Sequence, residues 1–433
     1  MNPQNAEDEL FLFQSHFAQL LNPNHPLVLL ANEIDWQAFD ERMGQYYCED
    51  NGAVAKPTRL MVGIHYLKYV FNESDESVVA KWIENPYWQY FCGFTHMQHE
   101  APLHPSTLSR WRKRIGGDDD SDGGDLKLLL EETISLALKL GLVSKTDLAK
   151  LNIDTTVQEK NITYPTDSKL LWHAIQLLNK AAKERGVTVR QSYRRVGKKA
   201  HVQASRYAHA RHFKRMRRSL KTLRTYVGRL IRDIRRKVEN EDERLETLLD
   251  RCERLRDQKK KDSKKIYSLV EPDVQCISKG KAHKRYEFGQ KISLATTNDK
   301  NWFAGCLLCK NNPYDGHTLE DTLMHVESMT GVSLKEVYVD KGYRGHGYKG
   351  QAEIHIAGSK SKSRTARQRK RLKRRNAIEP KIGHLKFENR MNRCYLKGLA
   401  GDAANALLAA AASNIQKILA SLSYGNGKKQ AFA

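Results

Sequence analysis

Glu336-Val-Tyr-Val-Asp340-Lys-Gly-Tyr343 is the stretch on which the fold turns. It is a short β-branched and aromatic run, the make-up of a buried strand, stopped by an acid and a Lys-Gly turn. A second apolar run, Leu148-Ala-Lys-Leu-Asn-Ile-Asp154, also ends in an aspartate. A third acid, Glu379, lies in a helical pattern with Arg375 four residues before it and Lys386 seven after. Carboxylates at the C-terminal ends of adjacent strands converge, and a helix crossing those ends adds a third. Such a cluster suits a like-charged phosphate only when divalent cations lie between them. Asp154, Asp340 and Glu379 are therefore the candidate catalytic and metal-holding residues of a phosphodiester chemistry.

The composition agrees with a nucleic-acid partner. The 433 residues carry 74 Lys and Arg against 50 Asp and Glu, a formal charge of +24 with an isoelectric point near 9.6. Basic clusters displace condensed counterions from phosphates, so double-stranded DNA is the expected partner. A hydrophobic content of 40% supports a folded chain of several domains. Met1-Asn-Pro-Gln-Asn-Ala-Glu-Asp-Glu9 shows no secretory pattern, and no apolar run reaches the roughly 18 residues of a membrane span. The stretch from Ala403 to Leu422 comes nearest, but Asn405, Ser413, Asn414, Gln416 and Lys417 interrupt it. It reads as a buried Ala-rich helix with Asp402 as N-cap. Seven scattered cysteines suit a reducing, cytoplasmic setting. The lone Cys306-Leu-Leu-Cys309 reads as two buried strand residues rather than a zinc or redox pair.

Residues 1–116 read as a helical N-terminal domain, with amphipathic stretches at Glu9–Leu21, Arg59–Phe71 and after a Ser74 cap. Pro105-Ser-Thr-Leu-Ser-Arg-Trp-Arg-Lys-Arg-Ile115 closes it. This basic helix resembles a helix-turn-helix DNA reader, with Arg110, Arg112 and Lys113 as candidate phosphate contacts. Residues 117–125 form an acidic Gly/Asp linker. Residues 126–425 are expected to be one catalytic domain interrupted by a basic helical insertion over 169–268, with a flexible tail at 426–433. In the insertion Leu220, Leu223, Val227, Leu230 and Ile234 recur at coiled-coil spacing, and Leu245, Leu248, Cys252 and Leu255 resume it after an acidic break. After one helix at Leu170–Lys183, that predicts a helical hairpin with arms on the order of 40 Å. Arg211, Lys214, Arg215 and Arg218 on its basic arm are candidate DNA contacts; the same seam also suits dimerisation.

The catalytic stretch runs in a definite order. A strand ending at Asp154 is followed by the insertion, then by strands at Tyr286–Thr296 and Trp302–Cys309 joined by a turn. A helix at Thr318–Ser328, the Asp340 strand and a strand at Ala352–Gly358 come next. A very basic helix, from Lys360 to Arg375, carries Lys373 and Arg374 as further candidate DNA contacts. It leads into the Glu379 segment and a closing helix. The order is that of a ribonuclease-H-like α/β core. At about 100° per residue, Arg375, Glu379 and Lys386 fall within roughly 40° of one another. The acid then points to metal and the two cations to phosphates. Pro380 kinks that helix or restarts it. Trp302 suits a stacking platform for a distorted base, but a buried strand residue is the preferred reading.

Asp340-Lys-Gly342-Tyr343 matches a D-x-G-[FY] motif, and Arg375-x3-Glu379-x6-Lys386 matches the R-x3-E-x6-K part of a signature whose leading Tyr is here Leu372. Asp154-Thr-Thr-Val fits the first-acid segment. On these residues the chain resembles the DDE transposases of bacterial insertion sequences, within the insertion-sequence four and five grouping. The resemblance runs from the helical N-terminal region to about residue 420. It implies a ribonuclease-H-like core and two Mg²⁺ or Mn²⁺ ions per active site. It also implies cleavage and strand transfer on the element's own terminal inverted repeats, and it leads to the expectation of a homodimer that holds two DNA ends. The short interval between Asp340 and Glu379 leaves no room for an insertion domain there. Rival readings are a metal-dependent nuclease or resolvase without strand transfer, a catalytically silent DNA-binding regulator, and a tyrosine recombinase using Tyr343 or Tyr395. The last requires a helical catalytic domain, which the strand-rich context disfavours.

Overall fold

Strand β1 (Lys150–Lys160) organises the computed structural model, which describes residues 15–48, 54–117, 123–238, 242–278, 285–358 and 365–430, the last seven as backbone only. The strand alternates little, because Leu151, Ile153 and Val157 and the polar Asn152 and Gln158 are all buried. A strand covered on both faces has that character. The chain divides into two compact units, Met1–Glu159 with Gln290–Ala433, and Lys160–Gly289.

In the first unit β3 (Tyr286–Thr297) lies beside β1 and pairs antiparallel with β4 (Phe303–Cys309), from Lys291 opposite Cys309 to Thr296 opposite Phe303. On the other side β1 runs parallel to β5 (Glu336–Val339), and β5 runs parallel to β6 (Glu353–Ile356). The short β7 (Arg393–Cys394) also pairs with β1. The helix Leu319–Thr330 provides the crossover from β4 to β5.

The N-terminal helices do not form a core of their own. Thr58–Val70 is buried along nearly its whole length and shares one apolar core with Lys127–Lys139, the sheet and the C-terminal helix Gly398–Gln430. The asparagines that break the apolar run of that last helix have partners inside. Asn405 accepts from the Tyr69 hydroxyl and donates to Gln158, while Asn414 bonds both backbone groups of Phe303 and the Thr133 hydroxyl. By length and composition Gly398–Ser423 passes as a membrane span, but most of it is packed in this core.

Several expectations are corrected here. Asp402 is no N-cap: the helix begins four residues earlier, and Asp402 is buried within it beside Gln158. The helix also continues through the expected tail to Gln430. The Glu9–Leu21 stretch is helical only at Phe17–Leu20 among its described residues; 9–14 lie outside them. Of the linker, 118–122 lie outside the described residues, and Asp125 is pinned by Tyr46, Gln45 and Arg42. Ser74 does cap its helix, in a reciprocal box with Ser77.

The second unit is wider than the expected insertion and is not a two-armed hairpin. Four helices, Asp167–Glu184, Arg194–His209, Phe213–Lys237 and Glu243–Asp257, pack around one apolar cluster. The helices from 167 and 194 cover the faces that a hairpin leaves bare. β2 (Gln275–Ser278) pairs antiparallel with Tyr286–Gly289, the first residues of β3.

Candidate active site

Parallel pairing of β1 with β5 puts Lys150 opposite Glu336 and Asn152 opposite Tyr338. The last pair is Asn152 with Tyr338; Asp154 follows two residues later on β1, and Asp340 comes directly after the end of β5. Asp154 sits within its strand rather than at its end, because Thr155 to Lys160 continue the extended run. Asp340 does end β5, and its side chain accepts the Gly342 N–H at 2.8 Å to start the next turn. Glu379 begins the helix Ile378–Glu388, after a single tight turn at Arg375–Ala377. Pro380 therefore marks a fresh helix start, where its missing N–H has no intrahelical partner to lose.

Arg375 joins these elements. Nη1 donates to Asp154 Oδ2 and Nη2 to Glu379 Oε1, each at 3.4 Å, while Asp154 Oδ1 accepts the Thr155 N–H at 2.8 Å. The guanidinium is 7% exposed, against 18% for Asp154 and 66% for Glu379. Its neighbour Arg371 anchors the basic helix Ala366–Arg374 to β5 through Nη1, which donates to both carboxylate oxygens of Glu336, at 2.9 and 2.7 Å. The expected outward, phosphate-facing role of Arg375 is thus corrected: with two acids in reach, a buried cation pairs inward. Lys386 is corrected likewise, donating to the Val157 carbonyl of β1 at 2.8 Å.

A fourth acid belongs to this group and was not singled out in the sequence. Asp315 opens a short turn, Asp315–Thr318, and its Oδ1 accepts from the Thr155 hydroxyl and from Lys291 Nζ, both at 2.9 Å. A methyl placed on Gly342 would lie 2.9 Å from Asp340 Oδ1 and 3.2 Å from Asp315 Oδ2, so these two carboxylates flank the same glycine. Tyr343 is buried beside them. Burial, then the charges of Asp154 and Asp315, push its phenol well above the usual range, so it stays neutral. Asp315 lies in Asn312-Pro-Tyr-Asp-Gly, which reads as a plain turn; only its packing reveals it.

The donor set suits a divalent cation of the Mg²⁺ or Mn²⁺ kind, since all its ligand atoms are hard carboxylate oxygens. Asp154 is placed for it by β1 and Asp340 by the turn that follows β5. Among the described residues, however, no group of three His, Cys, Asp or Glu side chains is gathered closely enough to hold a metal. Glu379 is turned to Arg375, whose guanidinium bridges it to Asp154.

The remaining candidates divide by exposure. Arg110, Lys113, Arg211, Lys214, Arg215, Arg218, Lys373 and Arg374 are exposed, though Arg374 also donates to the Asn298 and Asp299 carbonyls. Arg112 is corrected: 5% exposed, it forms a bidentate pair with Asp75 at 2.9 and 2.6 Å. Trp302 is buried, with Lys417 Nζ 4.4 Å from its ring, and offers no stacking face. Cys306 and Cys309 are buried and free.

Residues 15–114 match a transposase domain family (DUF772), and residues 338–419 match a transposase DDE domain that takes in Asp340 and Glu379. The chain is 49% identical over 202 residues to an uncharacterized protein, ORF8 in the nfe locus of Rhizobium meliloti; the match covers 47% of this chain and 94% of that protein. No solved structure matches. The matched domains indicate a ribonuclease-H-like fold and DDE-type catalysis on DNA, in a family that uses divalent metal. Together with acids carried by β1 and by the turn that follows β5, these matches make the assignment plain: the chain belongs to the insertion-sequence DDE transposases.

Proposed function

We propose that this transposase binds the terminal inverted repeats of its own element, cleaves the phosphodiester at each end and joins the freed 3′-hydroxyl to target DNA. Two ends must be held at once for coordinated cutting, so it works as a homodimer. The observation that carries this reading is the parallel pairing of β1, which holds Asp154, with β5, which leads into Asp340, together with Arg375 bridging Asp154 to Glu379. Asp154, Asp340 and Glu379 would hold two divalent cations, Mg²⁺ or Mn²⁺. Cations so held lower the pKa of water and offset charge on phosphate oxygens.

The chain's own residues fix the geometry beforehand. The Thr155 N–H holds one oxygen of Asp154, the Gly342 N–H holds one of Asp340, and Asp315 ties Thr155 to Lys291. Asp154 and Asp340 are pre-oriented by these bonds, whereas Glu379 must leave Arg375 before the three acids can share a cation. Exposed Arg110, Lys113, Arg211, Lys214, Arg215, Arg218, Lys373 and Arg374 supply sequence-independent phosphate contacts.

Purified protein with Mg²⁺ and a duplex carrying the terminal repeat should nick at the repeat end and yield joined products with a second duplex. Asp340→Asn should abolish both while repeat affinity stays within about twofold of wild type. Loss of binding together with cleavage would instead give Asp340 a structural role. Nicks without joined products would leave a hydrolytic nuclease.

A further inference from the structure

A cleft within the second unit has no part in the site above. It has a volume of about 230 Å³ and is lined by Arg190, Tyr193, Arg229, Arg232, Asp233 and Arg236, among others. One side is the loop that enters the Arg194–His209 helix. The other is the C-terminal half of the Phe213–Lys237 helix.

The loop is held by specific bonds. Buried Asp233 accepts the Arg190 N–H at 2.8 Å and Lys237 Nζ at 3.2 Å, and the same Nζ donates to the Thr188 carbonyl at 2.6 Å. Asn179 Nδ2 donates to the Ser192 carbonyl at 2.8 Å. Tyr193 is held at φ +52°, a conformation side chains rarely adopt, and stacks on Tyr226 with ring centroids 4.5 Å apart. Strain of this kind persists only where surrounding contacts enforce it, and it gathers at ligand sites.

The arginines on this helix are treated in two ways. Arg235 is met by three carboxylates of the Glu243–Asp257 helix, Glu246 at 3.4 Å, Asp250 at 2.6 Å and Glu253 at 2.8 Å. Arg229, Arg232 and Arg236, spaced three and four residues apart on one face, have no ion pair among the described residues; Arg229 reaches only the Tyr193 hydroxyl, at 3.5 Å. Like charges at that spacing repel one another. Asp233 lines the cleft too, but it is one acid against Arg190, Arg229, Arg232 and Arg236, and it pairs with Arg190 and Lys237, so the lining stays net positive.

We propose that this cleft is a phosphate-binding subsite in which Arg229, Arg232 and Arg236 clamp one backbone phosphate of bound DNA. The proposal rests on the DNA-binding reading given above and adds to it a built site away from the basic patch at Arg211–Arg218. Three guanidinium forks around one cleft match the oxygens of a phosphodiester, and the volume exceeds the roughly 30 Å³ share of a single water several-fold.

The test uses the full-length protein and a fluorescent duplex, with anisotropy read across a salt series. The variant Arg229→Ala/Arg232→Ala/Arg236→Ala removes three charges from the cleft. Lys259→Ala/Lys260→Ala/Lys261→Ala removes three from an exposed run of the same unit. Thermal melts confirm that each variant folds. The cleft variant should bind at least tenfold more weakly than wild type, with a salt slope shallower by about 1, against less than threefold weakening for the lysine control. Arg→Lys at the three cleft positions, which keeps charge but loses the fork, should fall between. Wild-type binding with equal losses in the cleft and control variants would overturn the subsite and leave the DNA reading intact. No duplex binding by wild type would remove the DNA reading itself. Inorganic phosphate that raises the melting point of wild type but not of the cleft variant, with DNA affinity equal in both, would assign the cleft to a small free anion and overturn the proposal.

Discussion

Arg375 Nη1 stands 3.4 Å from Asp154 Oδ2, so the cation that helical spacing aims at DNA is turned to a candidate catalytic acid inside the fold. Its other terminal nitrogen holds Glu379. Arg375 is therefore a competitor for the ion that the two acids would share, as well as the link that brings them together.

Arg375→Gln removes the charge and keeps much of the length. Mn²⁺ affinity, followed by electron paramagnetic resonance without DNA, should tighten about threefold or more, because a positive charge within about 4 Å of the ligand oxygens is gone. DNA cleavage should nevertheless fall, since Glu379 loses its tether. Weaker Mn²⁺ binding would show instead that Arg375 serves chiefly to hold the acids in place.

Asp315→Ala should lower cleavage about tenfold or more while DNA affinity is unchanged. The Thr155 hydroxyl and Lys291 lose their shared acceptor, and a destabilisation of about 2 kcal/mol should appear in urea melts, the half-buried setting keeping it below a fully buried pair. Asp315→Asn keeps an acceptor for Thr155 and should retain more activity than Asp315→Ala. Wild-type cleavage by the alanine variant would remove Asp315 from the site.

Gly342→Ala tests the same corner by sterics alone. The glycine's φ lies outside the left-handed region, so backbone conformation is no obstacle, but the new methyl meets Asp340 Oδ1 at 2.9 Å and Asp315 Oδ2 at 3.2 Å. Asp340 must swing away. Cleavage should drop by about tenfold or more, with a stability loss of about 1 kcal/mol. Full activity would mean that the orientation of Asp340 is not limiting.

The strands were legible because each carries its own signal. Tyr286–Thr297 alternates with aromatic and β-branched residues, Phe303–Cys309 is a short apolar run after an Asn-Asp-Lys-Asn turn, and Glu336–Val339 is a short buried run ended by an acid. What local sequence does not carry is the partner of a charge. Arg112 and Arg375 look like their neighbours Lys113 and Arg374, yet Asp75 and Asp154, distant in the chain, draw them inward. Asp315 was missed for the same reason. The four-helix second unit was read as a hairpin because the periodic leucines lie in two of its helices. The turn at Ala210–His212 uses left-handed Arg211 in place of glycine, so no usual breaker marks it; the connection before Arg194 has Gly186 in the left-handed region and ends on left-handed Tyr193.

The buried charge network under the N-terminal helices gives a pH dependence of definite sign. His65 Nδ1 lies 2.6 Å from the Met61 carbonyl and Nε2 lies 3.2 Å from Arg112 Nη1. A neutral ring with its proton on Nδ1 satisfies both, whereas a protonated one would face a guanidinium with no lone pair left. Burial, then the Arg112 charge, push its pKa down to about 3 from the usual 6.5. The unfolded chain therefore takes up a proton that the folded one refuses, and stability falls as pH drops from about 6.5 toward 3. Between pH 6.5 and 5 this group alone should cost about 2 kcal/mol. Asp75 acts in a lower window. Burial raises its pKa, but hydrogen bonds from Arg112 and the charge of Lys68 outweigh that and hold it below the usual carboxylate range. Its contribution is complete above about pH 4 and is lost only below. Thermal melts from pH 7 to 5 should thus decline in wild type and flatten in His65→Gln. Arg112→Ala, which leaves Asp75 only Lys68 as partner, should cost about 3 kcal/mol at neutral pH and weaken DNA binding only in step with unfolding. A fully folded Arg112→Ala protein that has lost DNA affinity would return Arg112 to the DNA surface.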